Sequence, residues 1–176
     1  MSQLIHMPAP DLRTAVENNH EAVEKFIRAA RAVPATRWQE PRAEGKWSPA
    51  QVTEHLAVAY ELSRKMVAGN ANVTEGLPPR ILQPLIRTVV RLTVLRTGKF
   101  MRAKAPAFFQ PSSSPASQEV LCKRLEAASN GFEQDAMRAK QTGQTAFDHA
   151  FFGRFGVAEY LQLQAYHTVH HRAQLS

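Results

Sequence analysis

The chain has 176 residues, of which 44% are hydrophobic and 21% are charged, a composition typical of one soluble globular domain. We therefore expect a single domain over residues 1–176, and neither a fibrous repeat nor a disordered chain. Cys122 is the only cysteine, which excludes an internal disulfide and fits a reducing compartment. Because there is no signal-like leader and no apolar run of the ~20 residues that a membrane span needs, we expect a cytoplasmic location.

The formal net charge of +7 originates in one segment. Residues 80–104, called the basic segment below, contain no acidic residue and seven basic ones: Arg80, Arg87, Arg91, Arg96, Lys99, Arg102 and Lys104. Such a segment can attract nucleic acid or an anionic membrane surface. The preferred interpretation is a bundle helix with a solvated basic face beside the mouth of a site. We expect no specific binding of nucleic acid.

The first two helices are predicted from capping residues and from apolar spacing. Asp11 is a plausible N-cap, and apolar residues recur at helical spacing as far as Pro34: Leu12, Val16, Val23, Phe26, Ile27 and Ala30. Ser48-Pro49-Ala50-Gln51 combines an N-cap serine, a proline at the first helical position and a glutamine at the third. The second helix should therefore begin at Pro49 and end near Gly69. Its apolar stripe is formed by Val52, Leu56, Ala59, Leu62 and Met66.

The rest of the chain predicts further helices separated by proline and glycine. Residues Arg80 to Leu95 should form a helix, and Gly98 to Ser114 a long loop that hints at a functional rim. Another helix should run from Ser114-Pro115 to Gly143. An aromatic, glycine-rich connector follows, and a final helix starts near Val157. The predicted fold class is all-α: a four-helix bundle with an additional short helix or long loop between the second and fourth helical segments.

Three histidines form a candidate metal site. His167 and His171 are four residues apart, so on the final helix they share one face. His55 lies within the apolar stripe of the second helix, where a lone histidine is more often a core residue than a ligand. Three neutral imidazoles with an open fourth position are the ligand set of a catalytic rather than a structural zinc site. His170 is ~100° round the helix from His171 and is not expected to be a fourth ligand.

Other reactive residues receive structural interpretations. Thr168 occupies the glutamate position of the His-Glu-x-x-His motif, which disfavours a zincin-type protease. Glu54 is rotated away from the second helix's histidine and is a poor general base. Cys122 is predicted to be a buried, inert thiol, and His149 to pack its connector under the final helix. No catalytic residue is assigned beyond the metal ligands, and no cofactor-binding residue is identified.

Four sequence elements carry a family resemblance: Trp47-Ser-Pro-x5-His55-Leu-Ala57, Lys104-Ala-Pro106, His149-x-Phe-Phe-Gly153 and His167-x3-His171-Arg172-x-Gln174. From Trp47 to its end the chain resembles the DinB-like superfamily of four-helix bundles. In that superfamily one histidine of the second helix and two of the last helix bind a divalent metal, commonly zinc or nickel. The resemblance transfers these roles to His55, His167 and His171, and it implies a homodimer.

The resemblance leaves two classes of function open. Characterised relatives include bacillithiol S-transferases and mycothiol-dependent maleylpyruvate isomerases. This implies a metal-dependent enzyme that adds a low-molecular-weight thiol, or water, to a small electrophilic substrate. The alternative is a non-catalytic, metal-stabilised binding or stress-response protein, since no acidic residue is convincingly placed as a base. Arg172 and Gln174 lie near the chain end and are given no more than a supporting role behind the ligands.

Overall fold

The computed structural model describes residues 11–71, 77–100 and 106–175, and the all-α prediction is confirmed there apart from one small hairpin. The helices are α1 Leu12–Arg31, α2 Pro49–Val67, α3 Gln83–Val90, α4 Gln118–Gln141 and α5 Val157–Arg172. The hairpin strands are β1 Ala146–His149 and β2 Gly153–Gly156, and short 3₁₀ turns span Ala35–Arg37, Arg80–Leu82 and Ala107–Phe109. In the described ranges no helix is long and apolar enough to cross a membrane.

The first two helices begin where their capping residues predict. The Asp11 carboxylate accepts a hydrogen bond from the Thr14 backbone N–H at 3.1 Å. At α2 the Gln51 N–H donates to Ser48 Oγ at 3.2 Å, while the Ser48 N–H donates to Gln51 Oε1 at 3.0 Å. This reciprocal capping box satisfies two backbone donors that the first turn would leave free, and such a cap stabilises a helix by about 1 kcal/mol. The order Ser-Pro-Ala-Gln therefore fixes the start of α2.

The bundle is built from two helix pairs. The most extensive contacts join α1 to α5 and α2 to α4, and α1 also packs on α4. The largest fully buried side chains come from all four helices and include Phe26, Tyr60, Phe132 and Leu161. Direct contact between α2 and α5 is limited. The two helices that carry the candidate ligands therefore belong to different pairs.

One predicted helix start in the second half of the chain needs correction. The fourth helix begins at Gln118 rather than near Pro115. The Pro115 carbonyl oxygen accepts from the Gln39 side chain at 2.9 Å, and the Ala116 carbonyl oxygen accepts from Trp38 Nε1 at 3.2 Å. These bonds hold the segment outside the helix.

The aromatic connector is a hairpin, in which β1 and β2 pair antiparallel with Phe147 opposite Phe155 and His149 opposite Gly153. The turn needs glycine at Gly153, whose φ is +64°. A Cβ there would also lie 3.0 Å from Gln83 Oε1. The hairpin therefore packs directly against the start of α3.

The predicted helix from Arg80 to Leu95 is present, and part of it reaches the core: Val94 is buried there, and Val90 and Leu95 pack against it. It consists of a 3₁₀ turn, α3 and a π-helical turn over Arg91–Leu95. Its exposed face, called the apolar face below, consists of Ile81, Leu82, Leu85, Val89 and Leu92, with Ile81 86% exposed. The inward side also makes polar contacts: Arg87 donates to the carbonyl oxygens of Phe152 and Arg154, and Arg91 pairs with Glu159. Arg102 and Lys104 lie outside the described residues.

Candidate metal centre

The structure brings His55, His167 and His171 together. His55 comes from the middle of α2, and the other two come from the last turns of α5. The Nε2 atom of His167 lies 3.2 Å from that of His55 and 3.0 Å from that of His171. All three candidate ligand atoms lie within 4.8 Å of one another. A tetrahedral zinc ion with Zn–N bonds near 2.05 Å spaces its nitrogens by about 3.3 Å, and the two pairs that His167 forms are close to that spacing.

Hydrogen bonds at the opposite ring atoms fix the tautomer of each histidine. Nδ1 of His55 lies 2.6 Å from the Phe109 carbonyl oxygen, that of His167 lies 3.2 Å from Gln164 Oε1, and that of His171 lies 3.1 Å from Gln174 Oε1. Carbonyl and amide oxygens only accept, so each Nδ1 carries the hydrogen. In a neutral ring each Nε2 then has a free lone pair. The short Nε2 contacts are therefore not hydrogen bonds, and three lone pairs converge on one point.

Burial keeps these rings neutral. His55 and His171 are buried and His167 is partly buried. Burial lowers the pKa of His171 to about 3, with a further contribution from His55. Burial also holds the pKa of His167 well below its ordinary value, and the neighbouring His171 and His55 add to this. The pKa of His55 is lowered by burial against the opposing effect of its bond to Phe109. Neutral imidazole is the form that binds a metal ion.

The acceptor behind His167 is itself held in place. Gln164 Nε2 donates to Ser63 Oγ at 2.8 Å and to the Tyr160 hydroxyl at 3.3 Å, which leaves Oε1 to face the His167 ring. The Ser63 hydroxyl donates its one hydrogen to the Ala59 carbonyl at 2.7 Å, and its oxygen lies 2.9 Å from the Tyr160 hydroxyl. This buried network joins α2 to α5 below the site. It orients the ring in the way that the polar partners of metal-ligating histidines do.

A cavity of about 1120 Å³ opens beside the three imidazoles. Its aromatic lining consists of Trp47, Phe100, Phe109, Phe151, Phe152 and Tyr160. The Trp47 ring centroid lies 4.8 Å from that of His55 and 6.3 Å from that of His171. Arg42 and Lys46 also line the cavity, and no acidic side chain does so among the described residues. The cavity is thus apolar around the cluster and positively charged at one side.

Residues judged peripheral in the sequence stay outside the cluster. His170 is half-buried beside Phe100, and its Nε2 accepts from the Gln174 amide at 3.1 Å. Glu54 is engaged elsewhere, since it accepts from the backbone N–H and hydroxyl of Ser112, each at 2.8 Å. Cys122 is buried, and burial raises the pKa of its thiol. Within the described part of the chain, Arg172 makes no side-chain hydrogen bond to the three rings.

The structure also changes the role expected for the basic segment. None of its described arginines and lysines lines the cavity, and the described basic residues that do so are Arg42 and Lys46. Sequence reasoning missed the Phe109 carbonyl and Gln164 as partners of the ligands. The expectation that the long loop forms a functional rim was a weak indication of the role of Phe109. No local signal in the sequence marks Gln164. The third partner, Gln174, had been given a supporting role.

Of three comparisons with known proteins, one gives a match. The family model of the DinB superfamily matches residues 18–175, which include all three clustered histidines. Searches of curated proteins and of solved structures each found no match to the chain. The match extends from the first helix through the last turn of the bundle. The chain therefore belongs to the DinB superfamily.

Proposed function

We propose that His55, His167 and His171 bind one divalent metal ion, zinc or nickel, through their Nε2 atoms. The observation that carries the proposal is the convergence of three unprotonated nitrogens at 3.0 and 3.2 Å, with each opposite Nδ1 bound to an oxygen. Facing lone pairs repel one another unless a cation or a proton lies between them. Protonation is disfavoured because burial lowers the pKa of all three rings. The donor set of three imidazoles fits zinc and nickel.

We infer further that the protein is a metal-dependent enzyme that adds a low-molecular-weight thiol, or water, to a small electrophile. A divalent ion held by neutral ligands keeps its full charge and lowers the pKa of a thiol or water in its open position. The aromatic lining can hold the apolar part of a substrate beside that position. Arg42 and Lys46 favour a substrate or thiol that carries an anionic group.

The alternative is a metal-stabilised protein without turnover, such as a binding or stress-response protein. One observation favours it: in the described part of the cavity no carboxylate is placed to accept a proton. The three histidines cannot serve as bases while they bind an ion. An enzyme built on this site would release the proton of its thiol or water to solvent, whereas a binding protein has no such requirement.

The first experiment is metal analysis of the chain purified without an affinity tag. We expect one zinc or nickel ion per chain, and none in the single variants His55→Ala, His167→Ala and His171→Ala. His170→Ala is the matched control, since it removes the neighbouring histidine that lies outside the cluster, and it should keep its ion. Metal retained by all three ligand variants would refute the shared site.

Activity separates the enzyme from the binding protein. The probes are conjugation of N-acetylcysteine to 1-chloro-2,4-dinitrobenzene and hydrolysis of 4-nitrophenyl acetate, each with and without a chelator. Turnover that disappears with the chelator and in each ligand variant supports the enzyme. A variant that loses its ion but keeps full activity would show that the metal is not the catalyst. Inertness across several thiols and electrophiles would favour the alternative function.

We also propose that a second copy of the chain covers the apolar face, so that the protein is a homodimer as its family resemblance implies. The support is the exposure of Leu85 at 61% and Leu92 at 53% on one side of the α3 segment. Light scattering should give a dimer mass, and Leu85→Glu should give a monomer. Val120→Glu, which alters an equally exposed apolar residue of α4, should remain a dimer. A monomeric wild type contradicts the proposal.

A further inference from the structure

His149, at the end of β1, is a buried histidine outside the metal cluster that faces the same cavity. Only 4% of the residue is exposed, yet it lines the cavity beside Phe151 and Phe152. Its ring stacks on Phe152 with centroids 4.2 Å apart and meets the Tyr160 ring edge-on at 4.8 Å. This packing under α5 agrees with the structural role that the sequence suggests. It also fixes the orientation of the ring.

The tautomer of His149 is opposite to that of the clustered histidines. Its Nδ1 lies 3.0 Å from the backbone nitrogen of Phe151, and because an amide N–H only donates, Nδ1 is the acceptor. In the neutral ring the hydrogen is therefore on Nε2. Burial lowers the pKa of His149 to about 3, so the ring is neutral at pH 7. His149 presents a fixed N–H donor, whereas the cluster presents lone pairs.

This donor has no hydrogen-bond partner among the described residues. Among the described residues, His149 Nε2 makes no hydrogen bond, and no fully buried side-chain nitrogen or oxygen lacks a partner. Because the His149 ring lines the cavity, an acceptor for Nε2–H can come from a molecule bound there. A molecule that fills the cavity and displaces water from Nε2 would leave this donor unpaired unless it carries an acceptor, and an unpaired buried donor is costly. A bound molecule with an oxygen acceptor avoids that cost.

The donor and the cluster of three histidines line the same cavity. His149 contacts Tyr160, which precedes His167 by seven residues on α5, or about 10 Å along the helix axis. A molecule of one ring with a short substituent covers that distance. We propose that His149 is a substrate-binding residue whose Nε2–H donates to an oxygen acceptor, such as a carbonyl or ester oxygen, of a small apolar molecule seated among the cavity phenylalanines.

The role of His149 rests on the proposed function only in that the cavity is taken as the substrate site, and it adds the class of substrate.

The first test is nitrogen NMR of the wild-type protein, titrated with acetophenone and with α-methylstyrene. The two probes have the same shape, but the second has a methylene group in place of the carbonyl oxygen. We expect His149 to carry its hydrogen on Nε2 from pH 6 to 8, and that resonance to shift with acetophenone alone. A hydrogen on Nδ1, or equal shifts with both probes, overturns the proposal.

Two variants of the same residue provide the matched comparison. His149→Asn keeps an acceptor for the Phe151 N–H but loses the distant donor, and His149→Gln places an amide N–H near the former Nε2. We expect acetophenone to bind about tenfold more weakly to His149→Asn and to recover in His149→Gln, because one hydrogen bond is worth up to about a factor of ten. Binding of α-methylstyrene should be the same in all three proteins. Unchanged acetophenone binding in His149→Asn overturns the assignment.

The same measurements separate this inference from the metal proposal. Chelator-treated protein should retain the difference between the two probes, since His149 acts without the ion. If the protein binds no metal but discriminates between the probes, the proposed function fails and the role of His149 stands. If metal-dependent turnover is observed but neither variant alters binding of the carbonyl probe, the enzyme stands and the role of His149 fails.

Discussion

Removal of the metal is expected to destabilise the whole bundle, because the proposed ion joins its two helix pairs. His55 belongs to α2, which packs mainly on α4, whereas His171 belongs to α5, which packs mainly on α1. His171 also lies one residue before the end of α5, where a helix frays unless it is held. Coordination would attach this last turn to the middle of α2. The ion should therefore bind the native state and not the unfolded chain.

The size of the effect follows from mass action. Binding to the native state alone stabilises by RT ln(1 + [L]/Kd), about 4 kcal/mol when free metal exceeds Kd a thousandfold. In a chain of this length each kcal/mol changes Tm by about 2–4 °C, so complete removal should lower Tm by about 8–16 °C. His171→Ala should show a similar decrease. Chelator should then have no further effect on that variant.

The assay is thermal unfolding followed by circular dichroism, with and without a strong chelator, on protein whose metal content is measured. His170→Ala serves as the control because it changes the adjacent histidine without removing a ligand. It should melt near the wild-type temperature and remain sensitive to chelator. An unchanged melting curve in both the chelated wild type and His171→Ala would refute the shared site.

Three other outcomes test the surroundings of the site. Gln164→Leu should lower metal affinity by about tenfold or more in a chelator competition, because His167 loses the acceptor that orients it, whereas Gln162→Leu on the same helix should not. The pKa of His149 is about 3 in the native state against 6.5 unfolded, so its stability contribution is complete above pH 6.5 and decreases as pH falls toward 3. Between pH 7 and pH 5 the free energy of unfolding should therefore fall by about 2 kcal/mol because of His149. Chemical unfolding curves measured without metal should show this contribution in the wild type and lack it in His149→Asn. Cys122 should react with a disulfide reagent only after unfolding, since its thiol is buried.

Local chemistry determined the starts of the first two helices. Asp11 and Ser48 cap backbone N–H groups only three residues away, so the whole signal lies within one turn of sequence. The spacing of His167 and His171 is likewise local, because 3.6 residues per turn place them on one face whatever the helix packs against. Their association with His55 had to be inferred from its place in an apolar stripe and from the family resemblance.

The hairpin escaped prediction because its strands have only four residues each, too few for alternation to be recognised. The exposure of the apolar face was not predicted for a different reason. Spacing predicts that a helix has an apolar side, but not what faces that side. Here Arg87 and Arg91 find acceptors on the hairpin and on Glu159, and the helix turns Leu82, Leu85 and Leu92 outward.

By itself the sequence determined the bundle, the order of its main helices and the three candidate ligands, because helical periodicity and capping act over a few neighbouring residues. Only the tertiary structure decided which atoms face the metal position. The Phe109 carbonyl lies 54 residues from His55 along the chain, and the Gln164 amide is oriented by Ser63, 101 residues away. Hydrogen bonds over such separations depend on how helices pack. The hydrogen bonds at Nδ1 determine the tautomers, which leave a lone pair on Nε2 of the three clustered histidines and an N–H on Nε2 of His149.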